Sequence, residues 1–158
     1  MVLYIDNIID KISAIVRSHE LGNEGEYARW IWQDENNNRD LGINEYGCAD
    51  AVNILYTIGE FPNDSGRREK YIKSLQRLQN PDTGFLCKNG EIAGTVPIFH
   101  HLAGSFHYLF NHEYAHRPIR YPEKMIDTCL DIYEQNKTVT DFGNQSGFAE
   151  IDWIYCIG

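Results

Sequence analysis

Residues 71–85 read YIKSLQRLQNPDTGF, a helix and its stop in one continuous stretch. Tyr71, Ile72, Leu75 and Leu78 share one face at the i, i+3/i+4, i+7 spacing of a helix packed on one side. Pro81 cannot continue that helix, because its ring removes a donor and collides with the preceding turn. Asp82-Thr83-Gly84 then supplies turn residues, with a glycine where a left-handed backbone is needed. Phe85 brings the chain back to the apolar interior as an anchor.

Similar units flank this one. The spacing predicts a helix over 2–18, with Ile5, Ile8, Ile9, Ile12, Ile15 and Val16 as one stripe. Gly22 follows as a C-terminal cap. Residues 23–44 carry Trp30 and Trp32 and then a polar run, which reads as a loop. Residues 46–59 leave almost no polar face, the pattern of a helix buried all round. Gly59 and Pro62 end it. A further apolar helix is predicted over 97–110, an amphipathic one over 122–135, and a third apolar one over 148–158.

The three apolar helices line up as AVNILYTIG from Ala51, AGSFHYLFN from Ala103 and EIDWIYCIG from Glu150, 52 and then 47 residues apart. Periods of this size, with two helices per unit, indicate stacked αα-hairpins. Buried helices alternate with half-buried ones. A ring with one set of helices inside and one set outside produces that alternation.

Gln79-Asn80-Pro81-Asp82-Thr83-Gly84-Phe85 resembles the Gln-x-x-x-x-Gly-Trp/Phe repeat that closes the outer helices of the α/α-toroid superfamily, the terpenoid cyclases and protein prenyltransferases. Cys48-Ala49-Asp50-Ala51-Val52-Asn53 with Leu55-Tyr56 resembles the start of an inner helix there, and Gln145-Ser146-Gly147-Phe148 is a partial echo of the repeat. The resemblance spans roughly residues 45–158. It implies an all-α fold of αα-hairpin repeats, about three of the six that complete a toroid, forming part of an α/α barrel as a single domain. The Asp-x-Asp-Asp acid motif of the class II cyclases is absent, and the prenyltransferase zinc ligands cannot be laid on this chain. The resemblance therefore carries the fold and the place of the site, without an activity. Half a ring exposes more apolar surface than a monomer tolerates. The expectation is a piece of a longer protein or a chain that self-associates.

In such a ring the inner-helix N-termini surround the cavity mouth. Tyr46 and Asp50, His100 and His101, and Glu150, Asp152 and Trp153 stand there. Asp50, Glu150 and Asp152 are candidate acid/base groups, with His100 to orient or share the proton. The plainer reading makes Asp50 and Glu150 helix caps and the two histidines satisfied, half-buried groups. Trp30, Trp32, Tyr46, His101 and Trp153 are candidate ligand contacts, with Phe99, Phe106, Tyr108 and Tyr155 as further cavity lining. Aromatic walls suit sugar stacking or contact with a cation; core packing is the alternative for Phe106 and Tyr155. His112-Glu113-Tyr114-Ala115-His116 matches HExxH, which on a helix puts two imidazoles on one face for zinc. Here Pro118 follows closely, the repeat assigns the motif to a loop, and no recognisable motif offers the third ligand.

Composition limits the rest. The 158 residues carry a net charge of −9 and no basic run, which argues against a nucleic-acid partner. Apolar residues at 42% indicate a globular chain. No apolar run reaches the roughly 20 residues of a membrane span. Asp6 and Asp10 sit where an export signal needs basic and then apolar residues. Cys48, Cys87, Cys129 and Cys156 form no Cys-x-x-Cys pair, the usage of a reduced, cytoplasmic protein. The sequence thus suggests a domain with an aromatic, acidic central cavity for a small molecule, a glycan rather than an isoprenoid, with no cofactor. The alternatives are a non-catalytic α/α scaffold and a zinc metallopeptidase.

Overall fold

The computed structural model describes residues 5–33, 35, 41–87, 98–136 and 147–158. Six helices occur there: α1 (Ile5–Ser18), α2 (Glu45–Thr57), α3 (Ser65–Leu78), α4 (Ile98–Tyr114), α5 (Pro122–Asn136) and α6 (Phe148–Ile157). Among the described residues, extended pairing is limited to three isolated bridges, Glu20 with Tyr27, Ala28 with Ile43 and Gln79 with Leu86. The all-α expectation holds, and the helix limits fall close to those read from the sequence.

Local caps set the starts of α2 and α3. Asn44 caps α2, its Oδ1 accepting from the Tyr46 and Gly47 amides at 2.9 and 3.2 Å. Asp64 caps α3 through the Arg67 amide at 2.8 Å. These side chains satisfy amide donors that a helix start leaves without partners. Gly59, at φ 78°, turns the chain out of α2.

α4 packs against both α2 and α6, so these three form a row. Glu45 meets Gly104 and Asp50 meets His107, and on α6 Asp152 acts on His107 while Tyr155 meets Phe110 and Glu113, so the three helices run in the same direction. α1 and α3 pack on α2, and α5 packs on α6. Two apolar cores result. One joins Val16, Tyr27, Leu55, Tyr71, Leu75, Leu78 and Tyr108, and the other joins Phe85, Leu102, Met125, Cys129, Ile132 and Cys156. α4 contributes to both through Tyr108 and Leu102.

The Gln79–Phe85 turn is the joint between α3 and α5. Gln79 is buried; its Nε2 donates to the Gly84 carbonyl at 2.8 Å and its Oε1 accepts from the Arg120 amide at 3.0 Å. Asn80 Oδ1 accepts from the Asp82 and Thr83 amides, both at 3.0 Å. Gly84 has φ 74°, and a Cβ there would stand 2.3 Å from the Met125 amide nitrogen. Only glycine allows both that conformation and that approach. Phe85 is fully buried behind the turn.

Two expectations of burial need correction. The stripe on α1 is used at one edge: Val16 is buried and Ile12 partly so, while Ile15 is 61% exposed, as α1 packs on α2 with one side. The apolar helices are not buried all round either. Tyr56 on α2 is 68% exposed, and Phe148 and Ile154 on α6 are 73% and 61% exposed. α6 has α4 and α5 as its packing partners, which leaves an apolar side open. No helix of the described residues is long and apolar enough to cross a membrane.

Candidate functional site

Tyr46, Asp50 and Asn53 recur at helical spacing along α2, and Ala103, His107 and Phe110 do so along α4. Where the two helices meet, His107 Nδ1 lies 3.1 Å from Asp50 Oδ1. The pair is partly open to solvent. The hydrogen bond to Asp50 holds the His107 imidazolium above its ordinary pKa, against the opposing effect of partial burial. The Tyr46 ring packs at 5.2 Å from the His107 ring. Burial, helped by the neighbouring Glu45 charge, pushes the Tyr46 hydroxyl up to about 12. The Arg29 guanidinium stands 4.5 Å from the Tyr46 ring centre and 5.6 Å from that of Trp30.

From α6, Asp152 completes the group. It is buried, and burial raises its pKa, while the charge on His107 pulls it back. Asp50 thus bonds the His107 imidazole directly, while buried Asp152 acts on it through charge. Beside it, Phe106 meets Phe110 and Tyr155 edge to face, and the Tyr155 hydroxyl donates to Glu113.

The structure sorts the residues expected from sequence. Asp50, Asp152 and Tyr46 come together, with Trp30 joined through Arg29. Asp50 is not a cap, since Asn44 holds that position. Glu150 is a cap: its Oε2 accepts from the Gly147 amide at 3.0 Å. Trp153 faces the other way, donating from Nε1 to the Cys129 carbonyl at 2.7 Å and packing on Tyr133, which ties α6 to α5. His101 is buried, and burial lowers its pKa. His100 is exposed and Trp32 is 52% exposed, neither in a described contact with the Asp50–His107 pair. The Phe99 side chain lies outside the described residues. His107 and Arg29 were missed by the sequence reading. Position 107 lies one helical face from Ala103, and that spacing was the available signal.

The HExxH stretch does not present two imidazoles on one helix face. Its first three residues complete α4, which extends to Tyr114 rather than stopping at 110. His116 lies beyond the helix at φ 50°. His112 is buried, with Nδ1 3.1 Å from the Arg117 carbonyl. Among the described residues, no group of three or more His, Cys, Asp or Glu side chains is arranged to hold a metal ion.

That stretch instead borders a cavity of about 840 Å³ between the C-terminal turns of α2 and α4 and the side of α3. Tyr56, Phe61, Tyr71, Leu75, Phe110 and Tyr114 wall it. Arg68, Glu69 and Arg117 also line it, with Arg117 paired to Glu69 at 3.4 Å.

Comparison with family models, curated proteins and solved structures gives no match.

Proposed function

We propose that the open face of α2, α4 and α6 binds a small polyhydroxylated molecule of the glycan type and acts on it by proton transfer. The observation that carries this reading is the Asp50–His107 contact with Asp152 beside it, three polar groups from three successive parallel helices. His107 is the proton donor, Asp152 the second group facing substrate, and Asp50 a positioning residue that fixes the imidazole ring. Tyr46 and Trp30 offer flat surfaces of the kind that stack on sugar rings. The rows α2–α4–α6 outside which α1, α3 and α5 pack are what an arc of an α/α toroid requires. The toroid belongs to this proposal, and the parallel order of the row supports it.

A glycan panel tests the reading. Binding is followed by nuclear magnetic resonance and turnover by release of reducing ends. Asp152→Asn should retain binding and lose turnover by roughly 10²-fold or more, the usual weight of one acid/base group. Unchanged turnover in Asp152→Asn and His107→Gln would refute it. The exposed apolar residues of α6 favour a second reading, a scaffold that docks a partner. Partner capture with no glycan bound by the wild type would select that one.

A further inference from the structure

Among the described residues, Arg29 differs from every other arginine. Arg17 is held by Glu60, Arg67 by Glu24, Arg77 by Glu26 and Arg117 by Glu69, while Arg68 and Arg120 donate to backbone carbonyls. The Arg29 side chain is exposed and makes no hydrogen bond or ion pair with a described residue. Its contacts are with rings: the guanidinium lies 4.5 Å from the Tyr46 ring centre and 5.6 Å from that of Trp30. A guanidinium stacked on aromatic rings keeps its N–H edge for an acceptor, and it is ordered before that acceptor arrives.

The backbone that carries Arg29 is fixed on α2. The Ala28 amide donates to the His19 carbonyl at 2.9 Å, and His19 Nδ1 lies 3.0 Å from the Ala28 carbonyl. A Cβ on Gly47 would stand 2.7 Å from the Ala28 carbonyl carbon and 2.9 Å from the Arg29 amide nitrogen. Glycine at this point of α2 lets the 28–29 peptide lie directly on the helix. Arg29 and Asp50 consequently border one hollow of about 170 Å³, together with Ile15 and Ile54. The Arg29 charge also reaches the site. It opposes the rise that burial gives the Tyr46 hydroxyl and the rise that the Asp50 hydrogen bond gives His107.

A cation with its donors unused at the margin of the Asp50–His107–Asp152 group is complementary to an anion on the ligand. Charge balance limits that anion to a single charge, because the chain already carries −9 and one guanidinium offsets one negative group. A carboxylate fits, since its two oxygens match the guanidinium fork. We propose that the glycan bound at this face is acidic, with a uronic acid unit whose carboxylate Arg29 receives. Tyr46 holds the guanidinium plane, and the Trp30 ring, 37% exposed, keeps surface for the sugar. The inference rests on the glycan reading above and adds to it the charge of the substrate.

The test is titration calorimetry on the full chain with the trisaccharides of galacturonic, glucuronic and mannuronic acid, each beside its methyl ester. Acid and ester share a sugar body and differ in the charge. At least one acid should bind saturably and about tenfold or more tighter than its ester, the order of one charge-assisted hydrogen-bonded contact. Arg29→Gln should bring that ratio toward one and leave the affinity for the ester unchanged. Arg117→Gln, which removes the same charge at the other cavity, should leave the ratio as it is. Equal affinity within every pair, or a preference for the acid that survives in Arg29→Gln or falls equally in Arg117→Gln, would overturn the inference. Neutral glycans bound alongside such a result would leave the glycan reading standing without it. Binding of no glycan, acidic or neutral, would remove both.

Discussion

His107 Nδ1 and Asp50 Oδ1 stand 3.1 Å apart although 57 positions separate them in the chain. The contact crosses from α4 to α2 at the face where Tyr46 and Arg29 also gather. Its first consequence is a pH dependence. Asp50 raises the folded pKa of His107 above its ordinary value near 6.5. The stabilisation is then complete below the unfolded pKa and is lost as pH rises through the folded one. Both side chains are substantially exposed, so its size is about 0–1 kcal/mol. A resonance titration of His107 should show the midpoint falling in Asp50→Asn. If His107 is the proton donor, the alkaline limb of the activity profile moves to lower pH by the same amount. An unmoved His107 midpoint would dissociate the pair.

Asp152 yields a pH dependence of the same sign, at lower pH, but the opposite effect on removal of the group. Burial raises its folded pKa, so the stability it contributes is complete below its ordinary value near 3.8 and declines as pH rises. At neutral pH a buried carboxylate costs stability. Asp152→Asn should therefore shift the denaturant midpoint upward at pH 7 and lose that advantage at pH 3. A group that destabilises the fold while serving its chemistry is expected at functional sites. A lower midpoint at pH 7 would show that Asp152 is held by favourable contacts.

The contrast between these residues and the rest shows what the sequence can disclose. Helix stops were legible because their causes are local, as at Gly59 and Pro81; the caps Asn44 and Asp64, just as local, were not singled out. The row of α2, α4 and α6 was legible through the recurrence of three apolar segments. Asp50 and Asp152 were picked out as acidic residues in those segments. His107 was passed over in favour of His100, because which side of α4 faces Asp50 depends on the packing of Leu102 and Tyr108 into the cores. Trp153 was picked out together with Asp152, but its ring packs on Tyr133 and its Nε1 donates to the Cys129 carbonyl of α5. The HExxH letters carried no information about the turn at His116 that separates the two imidazoles.

Tyr108 tests the cost of unfinished polarity directly. Its ring is fully buried, 4.1 Å from that of His112, and its hydroxyl has no partner. A buried hydroxyl without a hydrogen bond costs roughly 1–3 kcal/mol. Tyr108→Phe removes the oxygen and keeps the ring. The thermal midpoint should stay level or rise by a few degrees. A fall equivalent to more than about 1 kcal/mol would mean that the hydroxyl is satisfied in solution, by water or by rotation of a neighbour.

Gly84 and Gly59 separate backbone strain from steric collision, since the two glycines share a left-handed conformation at φ 74° and 78°. A Cβ at Gly59 meets nothing within 4 Å, whereas one at Gly84 would press into the backbone of Met125 and Tyr121. Gly59→Ala should then cost about 1 kcal/mol, the penalty of the conformation alone. Gly84→Ala adds displacement of α5 from the turn, and at least about 3 kcal/mol is expected. Gln79→Ala, which leaves the Arg120 amide and the Gly84 carbonyl without their partner, should fall between them at roughly 2–3 kcal/mol. Urea unfolding of the three variants checks the order. Equal losses at Gly59 and Gly84 would mean that the turn does not dock on α5, and with that the joint between α3 and α5 would be lost.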